Sequence, residues 1–126
     1  MVPLERGWTA LATLLRVSPA RSRPLGVAIV RGRSMLPRLR DGDRLLVRYA
    51  AAPRPGDVVV ARFVDGTVAV KRATERRTTR SGAPGWWLLS DNADEGLADS
   101  RARGVVPEQD VLGVVRWRLW PWPRRV

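Results

Sequence analysis

Apolar residues along the chain fall into short aliphatic and β-branched runs set apart by Gly, Pro and Asp. This pattern predicts six strands: Gly26–Val30, Arg44–Tyr49, Val58–Val64, Thr67–Ala73, Trp86–Leu89 and Val111–Leu119. Spacers this short and turn-rich join antiparallel neighbours, so the expected fold class is mostly β. The sharpest local signal is Asp65-Gly66 between two alternating runs, which predicts a hairpin with a type I′ turn. Thr74–Gly85 reads as an irregular loop. Ahead of the strands, Trp8, Leu11, Leu14 and Leu15 fit one helical stripe, and the prolines of Ser18–Pro24 mark a linker, since proline lacks the donor that helix and sheet require. The expected organisation is therefore a short N-terminal helix and linker over 1–24, followed by one β domain over 25–126.

A chain of 126 residues suits one hydrophobic core. The apolar run Gly7–Leu15 is well short of the about 20 residues that span a bilayer. Glu5 before that run and Arg21 after Ser18-Pro19-Ala20 argue against a signal peptide, so a cytoplasmic protein is expected.

Composition narrows the chemistry. The chain has no His and no Cys, which excludes a Ser-His-Asp triad, a thiol nucleophile, disulfides and a Cys/His zinc site; neither a metal nor another cofactor is expected. Lys+Arg number 23 against 12 Asp+Glu, for a net charge of +11, and Lys71 is the single lysine. Such a charge attracts acidic partners. The arginines are scattered from Arg6 to Arg125, however, and the local group Arg76, Arg77 and Arg80 falls in the expected loop, so no specific nucleic-acid partner is expected.

Three segments can carry chemistry. In the first, Ser34 follows a strand, behind Gly32 and ahead of Met35 and Pro37; a glycine-assisted turn can lift a serine off a sheet and aim backbone N–H groups at a carbonyl oxygen. Ser34 is thus a candidate nucleophile. In the second, Lys71 lies on the strand after Asp65-Gly66 and is the one amine able to serve as its base, provided burial lowers a pKa that is ordinarily about 10.4. Alternation puts Thr67, Ala69, Lys71 and Ala73 on one face and Val68, Val70 and Arg72 on the other. If the valine face is the core, Lys71 points to water; if small neighbours close over it, Lys71 is buried. The sequence leaves both open. The third segment holds Ser90, Asp91, Asn92, Asp99, Ser100 and Arg101, residue types that set tight loops through local hydrogen bonds. Asp91 and Asp99 are also a candidate carboxylate pair, with a separation that sequence does not set.

Together these segments resemble the serine–lysine peptidases of the type I signal peptidase family. The resemblance rests on Ser34-Met35-Leu36-Pro37 with Gly42-Asp43, on Pro55-Gly56-Asp57-Val58-Val59-Val60, on Val70-Lys71-Arg72, and on Asp91-Asn92 through Asp99-Ser100-Arg101 and Gly104, in order from about Val27 to Leu119. It implies a compact antiparallel, barrel-like fold of the signal peptidase and LexA type. Ser34 would be the nucleophile and Lys71 the base. The Ser34 N–H would supply part of the oxyanion hole, Met35 and Pro37 would shape the site, and Asp99 and Arg101 would form a supporting ion pair. Three departures stand out. Gly32 occupies the place where some members carry a second oxyanion-hole serine, Ser90 opens the third box in place of glycine, and six residues rather than five separate Asn92 from Asp99. The length and the lack of a spanning helix resemble the maturation peptidases of nickel-type superoxide dismutase, which implies that the partner is a precursor of that enzyme, trimmed at its N-terminus.

Other readings remain. Trp117, Trp120 and Trp122 among Arg116, Arg118, Arg124 and Arg125 suit interfacial anchors of a membrane-peripheral signal peptidase variant, whereas the alternation of Val115, Trp117 and Leu119 suits a half-buried strand. A self-cleaving LexA-like repressor would need a DNA-binding unit, for which about 25 residues are too few. A non-catalytic basic binding module would use the arginines and ignore Ser34 and Lys71.

Overall fold

A computed structural model describes residues 24–126. The helix and linker expected over 1–24 lie outside the described residues apart from Pro24. The strands are β1 (Leu25–Ile29), β2 (Arg44–Tyr49), β3 (Val58–Arg62), β4 (Val68–Thr78), β5 (Pro84–Leu89), β6 (Val106–Pro107), β7 (Val111–Trp120) and β8 (Arg124–Arg125). Between β5 and β6 lie a 3-10 segment, Ala93–Ala98, and a single helical turn, α1 (Ser100–Arg103). All pairings are antiparallel, in the order β1-β2-β7-β3-β4-β5-β6, with β8 added alongside β7. Register shifts in the β2–β7, β3–β7 and β4–β5 ladders bend the strands, and the sheet curls into a half-barrel.

The expected mostly β class is the one observed, and β2 has its expected bounds. Two expectations fail in informative ways. The hairpin after Phe63 is not type I′, which would need two left-handed residues: Gly66 has φ +89°, but Asp65 is not left-handed. Instead Gly66 N–H donates to Phe63 C=O and Phe63 N–H to Thr67 C=O, both at 2.8 Å, giving a three-residue loop with glycine at its left-handed position. The Asp65 side chain accepts the Thr67 N–H at 3.0 Å, which this loop favours over a two-residue turn. The stretch Thr74–Gly85 is largely strand, since β4 runs on to Thr78 and pairs Arg77 with Gly85. Two of its arginines have aromatic partners: Arg76 lies over the Trp86 ring and Arg77 over Trp87, 5.4 and 3.9 Å from the ring centroids.

Two buried clusters sit on opposite faces of the sheet, and β3 serves both. Val58 and Val60 join Ala28, Val30, Met35, Leu39, Leu45, Val47 and Val115 on one face. Val59 and Ala61 join Phe63, Ala73, Trp86, Leu88, Val106, Val111 and Val114 on the other. A strand covered on both faces has no polar side, which is why Val58-Val59-Val60-Ala61 does not alternate. β7 crosses β2 and β3, and Gly113 lets them close up: a Cβ there would come within 2.6 Å of Val47 Cγ1 and 2.9 Å of the Arg48 carbonyl oxygen.

Candidate active site

The chain between β1 and β2 leaves the sheet and returns to it through one pair of backbone bonds, Val30 N–H to Asp43 C=O at 2.9 Å and Gly42 N–H to Val30 C=O at 2.8 Å. Inside this excursion the apolar members go inward. Met35 and Leu39 are buried in the first cluster, and Leu39 N–H donates to Met35 C=O at 2.9 Å, forming one tight turn. Gly32 takes φ +84° and donates its N–H to Asp41 Oδ1 at 2.8 Å. With Met35 anchored and Gly32 bent, Ser34 reaches the cleft, which Arg33 also lines.

Lys71 comes from β4, directly opposite Val59 of β3. It is 3% exposed, and its Nζ lies 2.9 Å from Ser34 Oγ. Of the two readings that alternation left open, the structure has the buried one; Val68 and Val70 on the other face are only half-buried. Burial pushes the Lys71 amine down from 10.5 to about 8; the nearby Asp99 carboxylate pulls it back up, the Arg103 guanidinium pushes it down, and Glu95 pulls it up. At pH 7 an amine at about 8 is neutral about 300 times more often than one at 10.5. Neutral, it can accept the Ser34 hydroxyl proton across the 2.9 Å contact.

Both residues line a cleft of about 270 Å³ between β1 and the start of β4, walled by Ala28, Val30, Met35, Val60, Val68 and Val70. Among the described residues, β4 is paired only with β3 between residues 68 and 71, because its ladder to β5 starts at Arg72, and β1 is paired only with β2. The two open strand edges bordering the cleft can each hydrogen-bond an extended peptide.

The third segment supports this arrangement in separate pieces. Asn92 straps the serine loop: its N–H donates to Ser34 C=O at 2.9 Å, its Nδ2 to Arg33 C=O at 3.1 Å, and its Oδ1 accepts from Asp94 N–H at 3.1 Å. Asp91 takes both arms of the Arg72 guanidinium at 2.8 Å, and Arg72 also donates to the Gly56 carbonyl, fixing the strand beside Lys71. Asp99 is fully buried as the N-cap of α1, accepting from Ser90 N–H at 2.7 Å, Arg101 N–H at 3.0 Å and the Arg101 guanidinium at 2.8 Å. Burial alone would raise the Asp99 carboxyl, but Arg101 and those N–H donors hold it below its ordinary value. Ser100 is buried and accepts the Leu88 N–H at 3.0 Å, locking α1 to β5.

Two sequence expectations are corrected here. Asp91 and Asp99 are not a carboxylate pair, since each is taken up by its own arginine. Pro37 is exposed and does not line the cleft, because the turn after Met35 carries it outward; Met35 alone of that pair does. Sequence reasoning also missed Glu95 and Arg103. Glu95 lines the cleft, and Arg103 lies over the Phe63 ring with Nη2 3.6 Å from Asp65. Neither carried a signal, since both act on Lys71 through their charge from positions distant in sequence.

A sequence model of the family described as Peptidase S24-like matches residues 2–115. No curated protein matches the chain.

Proposed function

The chain belongs to the peptidase S24-like family and is in general class a serine peptidase; from that premise we propose that it is an endopeptidase in which Ser34 is the nucleophile and Lys71 the general base. The observation that carries this reading is the 2.9 Å contact between Ser34 Oγ and a buried lysine amine held near pKa 8. A peptide lies extended in the cleft, its backbone on the open edges of β1 and β4 and its small apolar side chains against Ala28, Val30 and Met35. Neutral Lys71 takes the Ser34 proton as Oγ attacks the scissile carbonyl. Among the described residues the Ser34 N–H has no acceptor, so it is free to stabilise the oxyanion. Protonated Lys71 then gives its proton to the leaving amine as the C–N bond breaks, leaving an ester on Ser34. A water that Lys71 deprotonates cleaves that ester and releases the acid, restoring Ser34.

The substrate proposed is a protein precursor that loses an N-terminal extension, and the resemblance to nickel-type superoxide dismutase maturation peptidases makes that dismutase precursor the one to try first. The test is incubation of the precursor with wild-type, Ser34→Ala and Lys71→Ala proteins, with mass spectrometry of the products. Trimming at one defined bond by wild type alone is the expected result. Equal behaviour of all three proteins would remove the dyad, whereas wild-type cleavage of other precursors but not this one would remove only the substrate.

A further inference from the structure

The second cluster ends at Val114, but the sheet face it covers does not. Register carries that face across β2 and β1: Trp117 stands opposite Leu46, Leu46 opposite Val27, Trp120 opposite Arg44, and Arg44 opposite Ile29. Leu25, Trp117, Leu119 and Trp120 are exposed along it, and Trp122 at its rim is 63% exposed. Arginines are stacked on two of these rings, Arg44 over Trp120 at 5.2 Å and Arg125 over Trp117 at 5.7 Å from the centroids, whereas Arg118, 5.0 Å from the Trp122 centroid, is itself buried and paired with Asp43. Stacking holds the guanidinium groups beside apolar surface, so aromatic area and positive charge are presented together.

Charge selects the occupant. The strands that make the face, 25–29, 44–49 and 111–125, contain no Asp or Glu. A second copy docked on the same face would set arginine against arginine. Residues 1–23 carry four arginines against one glutamate, so they bring no complementary charge to such a face. What matches a broad, aromatic and wholly cationic sheet face is an anionic lipid surface, where tryptophan rings settle at headgroup depth and arginines meet the phosphates. Residues 116–126, which supply the tryptophans, lie beyond the part of the chain that the family shares. We infer that the open β1–β2–β7 face is a membrane-docking surface for anionic bilayers, next to the cleft whose wall β1 also forms.

The experiment is co-sedimentation of the full chain with phosphatidylglycerol-containing and pure phosphatidylcholine vesicles at about 0.15 M salt, followed by tryptophan emission. Wild type and Ser34→Ala should pellet equally, with the anionic vesicles only, and their emission should shift to the blue. A Trp117→Ser/Trp120→Ser variant should bind at least tenfold more weakly, and Arg44→Ser or Arg125→Ser about fivefold more weakly each. The inference is overturned if wild type stays in the supernatant, if the double tryptophan variant pellets like wild type, or if the same tryptophans instead report binding to RNA. Precursor cleavage in detergent-free solution reads the dyad separately, so either result can fail alone.

Discussion

The cleft and the β1–β2–β7 face invert the ordinary distribution of side chains in opposite senses. In the cleft a lysine is buried beside a serine, while on the face three tryptophans stand in solvent. Folding alone favours neither arrangement. Desolvating the Lys71 amine opposes folding, and leaving Trp117, Trp120 and Trp122 exposed forgoes burial worth about 25 cal/mol per Å². Trp86 shows what the fold does with an aromatic it needs, since it is 1% exposed within the second cluster. A departure from the inside–outside rule that costs stability marks a place where something other than stability is being served.

Removing the inverted lysine breaks this comparison most completely. Lys71→Met and Ser34→Ala should each lower peptidase kcat/KM by ~10⁴-fold or more. The wild-type profile should climb with pH and level off near 8, where Lys71 becomes neutral. Stability should move the other way for the lysine variant. Below about pH 8 both folded and unfolded chains carry the protonated amine, and the folded chain bears the whole burial cost, about 3 kcal/mol. Between about 8 and 10.5 only the unfolded chain keeps the proton, so wild-type stability rises with pH across that window. Lys71→Met should therefore melt higher than wild type at pH 7 and lose its advantage above 10.5. A melt that is lower at both pH values would show that the amine is not a burden.

Asp99→Asn sharpens the electrostatic side. Weakening a fully buried carboxylate that holds Ser90, Arg101 and the start of α1 should cost about 1–3 kcal/mol in urea denaturation. Because the Asp99 charge raises the Lys71 pKa, its loss should also move the rising limb of the pH–rate profile to lower pH. A purely structural role would leave that limb in place. Asn92→Ala should be milder, about tenfold in kcat with KM little changed, because it deletes the side-chain bond to Arg33 C=O while the backbone N–H of residue 92 still holds Ser34 C=O and the peptide-binding edges are untouched. The smallest effect belongs to the open face. Trp122→Ser should shift unfolding free energy by less than about 0.5 kcal/mol, as measured by thermal melting.

Much of the sheet was legible because strand periodicity is local. β2 and β7 are marked by their own residues, and the run Val58–Ala61 announces a strand covered on both sides. The part that was not legible follows from partners supplied at a distance. Arg76 and Arg77 looked like loop residues because nothing near them in sequence shows the tryptophan rings of β5 on which they lie. The hairpin turn was misread because one hydrogen bond, from Thr67 to the Asp65 side chain, favours the longer loop.

By itself the sequence determined the inventory: no imidazole or thiol, one serine behind a glycine turn, one lysine, and a tail in which three tryptophans sit among four arginines. It could not determine whether Lys71 faced water or Ser34, since strand alternation names two faces without saying what covers each. The curl of the sheet decided that, by closing the serine loop over β4 and bringing residues 37 positions apart to 2.9 Å. Among the described residues the same curl leaves the far end of the sheet uncovered, because the second cluster ends at Val114. Burial is a property of the closed sheet and not of any strand within it, and both the lowered lysine pKa and the open tryptophan face follow from where that closure stops.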